Sequence, residues 1–293
     1  MRKLLIPSLV LATAALALTA TATGARTSGA AQEAIPGCAR GSLNLVDDGV
    51  LTVGADNPAF PPWFGGAEKT KPWKVSDPYS GKGYESAVAY AVAKQLGFTK
   101  AQVKWTVVPF NNSFRPGKKP FDVYITQVSY APERAKAVDF SMSYYYVNQS
   151  VVGRKGKPIS KVKSVAGLKP FKLGAQVGTT SYTYITKYIK PSSKPLVFDT
   201  NDAAVQALKN GQIDGIVVDL PTAFYVTAVQ VPNGKILGQL QTKTGEHFGM
   251  VLKKGNPLTA CVNQALAKLK ANGTLKKIQA TWLSKVVGVP VLR

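Results

Sequence analysis

Histidine is almost missing from this 293-residue chain and cysteine is scarce: His247 stands alone, beside Cys38 and Cys261. One imidazole leaves a single candidate for a histidine-based nucleophile–base pair. No Cys/His spacing suits a metal, and neither a phosphate-loop nor a dinucleotide glycine fingerprint occurs. We therefore expect no metal and no cofactor. Acidic residues are also few, 15 against 37 basic ones, for a formal charge of +22. Long apolar runs are lacking as well. The longest, Leu4 to Leu18, is shorter than the roughly 18 residues a membrane helix needs.

What is present at the N-terminus fits export. Arg2 and Lys3 precede the apolar run, and Ala20-Thr-Ala22 or Thr23-Gly-Ala25 offers small residues for cleavage. We expect a signal peptide at 1–25, a flexible segment at 26–42, and a mature protein in the periplasm, cell envelope or medium. Cys38 follows Pro36-Gly37 too far downstream to close a lipid-attachment motif. In an oxidising compartment Cys38 and Cys261 suit a disulfide, with two separate buried thiols as the alternative. Losing Arg2 and Lys3 takes the charge from +22 to +20. The lysines are scattered, without a basic run interleaved with aromatics, so nucleic acid is not the expected partner. A solvated basic surface is the plain reading, and anionic cell-wall polymer is the partner such a surface would suit.

Strand and helix patterns alternate. Leu51–Ala55, Val103–Val108, 121–128, 171–175 and 213–218 read as strands. Helices are expected from Tyr84 to Leu96, closed by Gly97, and over 201–210, 258–270 and 274–282. The stretch 57–80 is a proline-rich loop and 109–117 a second loop. This is an α/β order with largely parallel sheets, and pattern alone leaves one doubly wound domain or two lobes equally open.

Ser129-Tyr-Ala-Pro-Glu-Arg-Ala-Lys-Ala-Val-Asp-Phe-Ser141 carries the most information. Pro132 suits the first position of a short helix to about Val138, which places Arg134 in its first turn, where a cation is disfavoured. Such an arginine either has an anionic partner or points into water. The segment resembles the Pro-Glu-Arg…Val-Asp-Phe-Ser motif of extracellular solute-binding proteins for polar amino acids, family 3, the binding components of ABC importers. The resemblance runs from about Leu51 to Trp282. It implies a two-lobed, periplasmic-binding-protein-like α/β fold of type II with two interlobe crossings. Lobe one would be 43–147 plus 250–293, and lobe two 152–245.

In that family the arginine forks onto the ligand's α-carboxylate, which gives Arg134 this role. Ser129, Thr179 and Thr180, the last two in the Gly178-Thr-Thr-Ser181 turn, would add donors to the same carboxylate. Asp219 would hold the α-ammonium; read alone, it serves equally well as a helix cap. Asp56 and Gln176 correspond to pocket positions near the ligand side chain, and Phe60 and Phe110 to aromatics that sandwich its stem. Gln127 stands where many relatives have glycine. The implied function is binding of a free polar L-amino acid by a monomeric, exported, non-enzymatic protein that delivers it to a membrane permease. An amino-acid sensor or surface adhesin is the alternative, and a dehydratase-type enzyme on the same fold a remoter one, for which Glu85, Glu133 or Glu246 would have to act as acid or base.

Overall fold

The computed structural model describes residues 35–66, 70–240, 245–284 and 288–293. The expected signal peptide and most of the 26–42 segment lie outside them. Strand β1 (Leu51–Ala55) is buried at all five positions, as an apolar strand between two parallel neighbours with both faces covered must be. It leads through the proline-rich loop to α1 (Tyr84–Gln95), ended by Gly97 in a left-handed conformation. Then follow β2 (Val103–Val107), a helical turn α2 (Phe110–Ser113) inside the expected loop, and β3 (Val123–Tyr124). Next are α3 (Pro132–Ala135), β4 (Val138–Phe140) and β5 (Tyr145–Tyr146). The first sheet has the order β2-β1-β3-β12-β4, where β12 (Val251–Lys253) returns from the far end of the chain.

The second sheet, β10-β6-β9-β7-β8, is built from β6 (Gln149–Arg154), β7 (Leu173–Gln176), β8 (Leu196–Phe198), β9 (Gly215–Asp219) and β10 (Gly234–Leu240). Its helices are α4 (Thr180–Tyr184), which runs on as a wider turn over Ile185–Ile189, α5 (Asn201–Asn210) and α6 (Leu220–Tyr225). The chain then returns through β11 (His247–Phe248) and β12 to α7 (Leu258–Ala271) and α8 (Thr274–Leu283), both on the first lobe.

Both sheets are mixed rather than largely parallel. β1 pairs in parallel with β2 and β3, and β7 with β8 and β9, but β12 and β6 run antiparallel to both neighbours. The reason is topological: a strand that enters a lobe from a crossing arrives against the direction of the βα units. The crossings pair with each other, Tyr146 opposite His247 and Tyr145 opposite Phe248. Trp63, Tyr84, Tyr145 and Phe248 pack edge-on or tilted around them, with ring centroids 5.3–6.0 Å apart. Such contacts add order of 1 kcal/mol each beyond burial.

Two local expectations change. The 121–128 run forms only a two-residue strand, because Asp122 turns back to accept the Val46 and Thr52 N–H groups and Thr126 bonds Asp56. The Pro132 helix is a single turn, so the dipole argument for Arg134 has little force there. The division of the chain also differs at its end. Residues 290–293, expected in lobe one, lie on the second sheet: Leu292 N–H donates to the Gln239 carbonyl at 3.0 Å, Gln239 N–H to that of Pro290 at 2.8 Å, and Leu292 is buried with Leu237 and Leu240.

Cys38 and Cys261 form a disulfide. Both sulfurs belong to the core of lobe one, where the bridge fastens the N-terminal strap to α7.

Candidate functional site

The carboxyl ends of β1, β3, β7, β8 and β9 converge on one cavity of about 390 Å³ between the sheets, where open α/β sheets place ligands. All nine candidates, Asp56, Phe60, Phe110, Ser129, Arg134, Gln176, Thr179, Thr180 and Asp219, line it, and Gln127 does too.

Arg134 spans the two lobes. Its guanidinium donates to the carbonyl of Ser129 at 2.6 Å in lobe one and to that of Gly178 at 2.6 Å in lobe two. It lies 4.5 Å from the Phe114 ring centroid and 5.6 Å from that of Phe110. Burial pulls its pKa down to about 10, with the charges of Glu246 and Asp219 opposing the shift, so it stays cationic at neutral pH. Two of its five N–H donors are used in these contacts, which leaves others for an anion.

Asp219 sits at the cap position of α6 but makes no capping bond with its side chain. Its carboxylate instead accepts from the Gln149 amide at 2.7 Å. Its side chain therefore does not serve as the helix cap. Burial, then the nearby Glu246 charge, raises its pKa well above the usual carboxylate range.

Thr179 does cap. Its hydroxyl accepts from Tyr182 N–H at 3.1 Å and donates to the Gln176 carbonyl at 2.8 Å, so its proton is spent within its own turn. Ser129 and Thr180 each donate their hydroxyl proton to Glu246 at 2.5 Å. These hydroxyls were expected to serve a carboxylate from outside. A carboxylate of the chain itself holds two of them.

Gly178 has φ +74°, and a Cβ there would meet the Asn111 amide oxygen at 2.5 Å. Glycine is thus required both by backbone and by the approach of α2 to the second lobe. Gln127 takes a left-handed conformation, φ +43°. Glycine adopts this geometry readily, and here Glu85 holds it by accepting from the Gln127 N–H at 2.6 Å and from its side-chain amide. Glu85 is fully buried, and burial pushes its pKa up to about 7.

Asp56 and Asp202 also face the cavity, with Lys74, Asn57 and Thr200. Burial raises the Asp56 pKa, opposed by the Asn57 and Phe110 N–H groups. Trp63 donates to Thr222 at 3.0 Å and Phe60 packs on Tyr225 at 5.7 Å, further ties between the lobes. Sequence reasoning did not place Gln149, Asp202, Thr222 or Glu246 in the site. The one available signal was position at a strand's carboxyl end, which Asp202, just after β8, satisfies. Among the described residues no helix is long and apolar enough to cross a membrane.

Residues 64–285 match the model of bacterial extracellular solute-binding proteins, family 3. The chain belongs to this family. It is 31% identical over 232 residues to the ABC transporter glutamine-binding protein GlnH of Bacillus subtilis, covering 76% of this chain and 81% of that protein. It is 31% identical to ABC transporter arginine-binding protein 1 of Escherichia coli over 68% of this chain and 81% of the relative. Among solved structures, an ancestral arginine-binding protein bound to arginine shares 32% identity and a TM-score of 0.64 over 80% of this chain and 98% of its own. An ancestral amino-acid-binding protein described as a precursor of cyclohexadienyl dehydratase has 28% identity and a TM-score of 0.64, over 80% and 94%.

Proposed function

We propose that this protein binds one free polar L-amino acid in the cleft between its lobes and delivers it to the permease of an ABC importer. The observation that carries the reading is that Arg134, from the first lobe, and Asp219, from the second, line one cavity. A zwitterion needs one cationic and one anionic contact, and these two residues supply them. The cavity volume suits a small polar solute, at the lower end of ligand pockets. Asp56, Asp202 and Gln176, which line the same cavity, favour a side chain that donates hydrogen bonds, such as that of arginine, lysine or glutamine.

Lobe one is assigned to 43–147 with 250–284, and lobe two to 152–245 with the 290–293 tail. Ligand contacts on both lobes bind the closed arrangement better than an open one, and only such differential affinity shifts the population. Rotation about the β5 and β11 crossings would then present one composite surface to the permease. Titration calorimetry with L-arginine, L-lysine and L-glutamine tests the binding. Saturable heat with one-to-one stoichiometry is expected for at least one, and no heat with these or any other of the twenty L-amino acids up to millimolar concentration refutes it. A smaller radius of gyration by X-ray scattering on saturation is the expected sign of closure.

A further inference from the structure

Hydroxyl protons around Asp219 are already committed. Ser129 and Thr180 come from different lobes, and each has one O–H to give. Both donate to Glu246 Oε1 at 2.5 Å. The same carboxylate accepts from Gln149 Nε2 at 3.1 Å through each oxygen. Gln149 is fully buried and its orientation is fixed, because Ser181 donates to its carbonyl oxygen at 2.6 Å. Its amide nitrogen therefore points at Glu246 and Asp219 together, the latter at 2.7 Å. Thr180 Oγ1 also lies 3.5 Å from Gln149 Nε2 and 3.3 Å from Ser129 Oγ. With both protons on Glu246, each hydroxyl oxygen can still accept through a remaining lone pair but has no proton left to donate.

We propose that Glu246 is a positioning residue that sets the polarity of the grip: by taking the protons of Ser129 and Thr180, it leaves their oxygens as acceptors that join Asp219 in receiving the solute's α-ammonium. This rests on the cleft being an amino-acid site, and it reassigns the two hydroxyls from the carboxylate to the ammonium. An ammonium has three donors, and Ser129 Oγ, Thr180 Oγ1 and the Asp219 carboxylate are three acceptors. A solute carboxylate, an acceptor itself, finds no donor in that trio and is directed to Arg134. Glu246 does not line the cavity and acts through the residues it holds. It lies on the second crossing, one residue before β11, so the polarity of the grip is tied to the segment about which the lobes turn.

The prediction is a change in selectivity for the amino group. Glu246→Ala and Glu246→Gln are titrated with L-arginine and L-glutamine, and with the desamino compounds guanidinovaleric acid and glutaramic acid. Without Glu246 the two hydroxyl protons are free to turn into the cavity, so E246A is expected to weaken for the amino acid that binds by about tenfold or more, with less than about a threefold change for its desamino analogue. E246Q keeps an acceptor oxygen for the hydroxyls and should fall between wild type and E246A. Melting curves establish that both variants fold. Equal losses on the amino acid and its analogue would make Glu246 a general structural support and overturn the proposal. So would unchanged affinity for the amino acid in E246A. Wild-type protein that binds none of the twenty L-amino acids would instead remove the underlying reading, and this one with it.

Discussion

Replacing Arg134 by lysine keeps the charge and removes the fork, which separates the two things this side chain supplies. The guanidinium makes two 2.6 Å bonds to carbonyls of opposite lobes and stacks on Phe114. An ammonium on a shorter reach can satisfy one of those carbonyls or the solute, but not both. Each charge-assisted bond is worth about 1.5–3 kcal/mol, and the stacking contact order of 1 kcal/mol. Losing one bond and part of the stacking gives about 2–4 kcal/mol, so R134K should raise the amino-acid Kd roughly 30- to 1000-fold. R134A leaves both a buried solute carboxylate and the acidic pair Asp219 and Glu246 without their cation. It should lose about 3–5 kcal/mol or more. Calorimetry reads the affinities, and thermal melting in the absence of solute reads the tie between lobes. An R134K protein that binds within about threefold of wild type would refute the fork, since a bidentate contact cannot be lost at so small a cost. A lower melting temperature with intact affinity would mean that the arginine only ties the lobes.

Further outcomes follow from single features. Gly178→Ala, which forces a Cβ into the Asn111 amide at φ +74°, should weaken binding by at least about tenfold through misplaced lobe contact; affinity within error of wild type would show that the lobes approach elsewhere. The Cys38→Ser/Cys261→Ser pair opens a loop of 223 residues, a loss of up to about 5 kcal/mol in the chain-entropy model. Its melting temperature should drop by several degrees with solute affinity retained, and an unchanged melt refutes this. Glu85 has a folded pKa of about 7, raised by burial from 4.5. Stability from this group is full below about pH 4.5 and is lost as pH rises toward about 7. Glu85→Gln should flatten that part of the pH–melting curve, and an undiminished slope would assign it to other groups.

The Pro-Glu-Arg segment was legible because its residues are contiguous: a strand end, a proline-started turn and the arginine together define one edge of a cleft. Asp219 and the 178–181 turn were legible for the same reason, each being a strand end read in place. The single-turn length of α3 was not, because proline marks where a helix starts and the return of the chain along β12 decides where it stops. The antiparallel strands escaped notice for a related cause: β12 and β6 owe their direction to crossings between lobes, which leave no local pattern. Glu246 shows the limit most clearly. Nothing near it in sequence distinguishes it from a surface glutamate, and its partners Ser129, Gln149 and Thr180 are 117, 97 and 66 residues away. Which hydroxyl proton goes where is a property of that assembly.

Whether the cleft holds a polar amino acid is decided by a thermal-melt screen against the twenty L-amino acids. A solute present at a hundred times its Kd stabilises the folded state by about 2.7 kcal/mol. At roughly 2–4 °C per kcal/mol for a protein of this size, the melting temperature should rise by about 5–11 °C. Such a rise is expected for one amino acid or a small polar set, with arginine, lysine and glutamine foremost, and no rise in R134A. A flat response to all twenty at millimolar concentration, from protein that melts cooperatively, would contradict it.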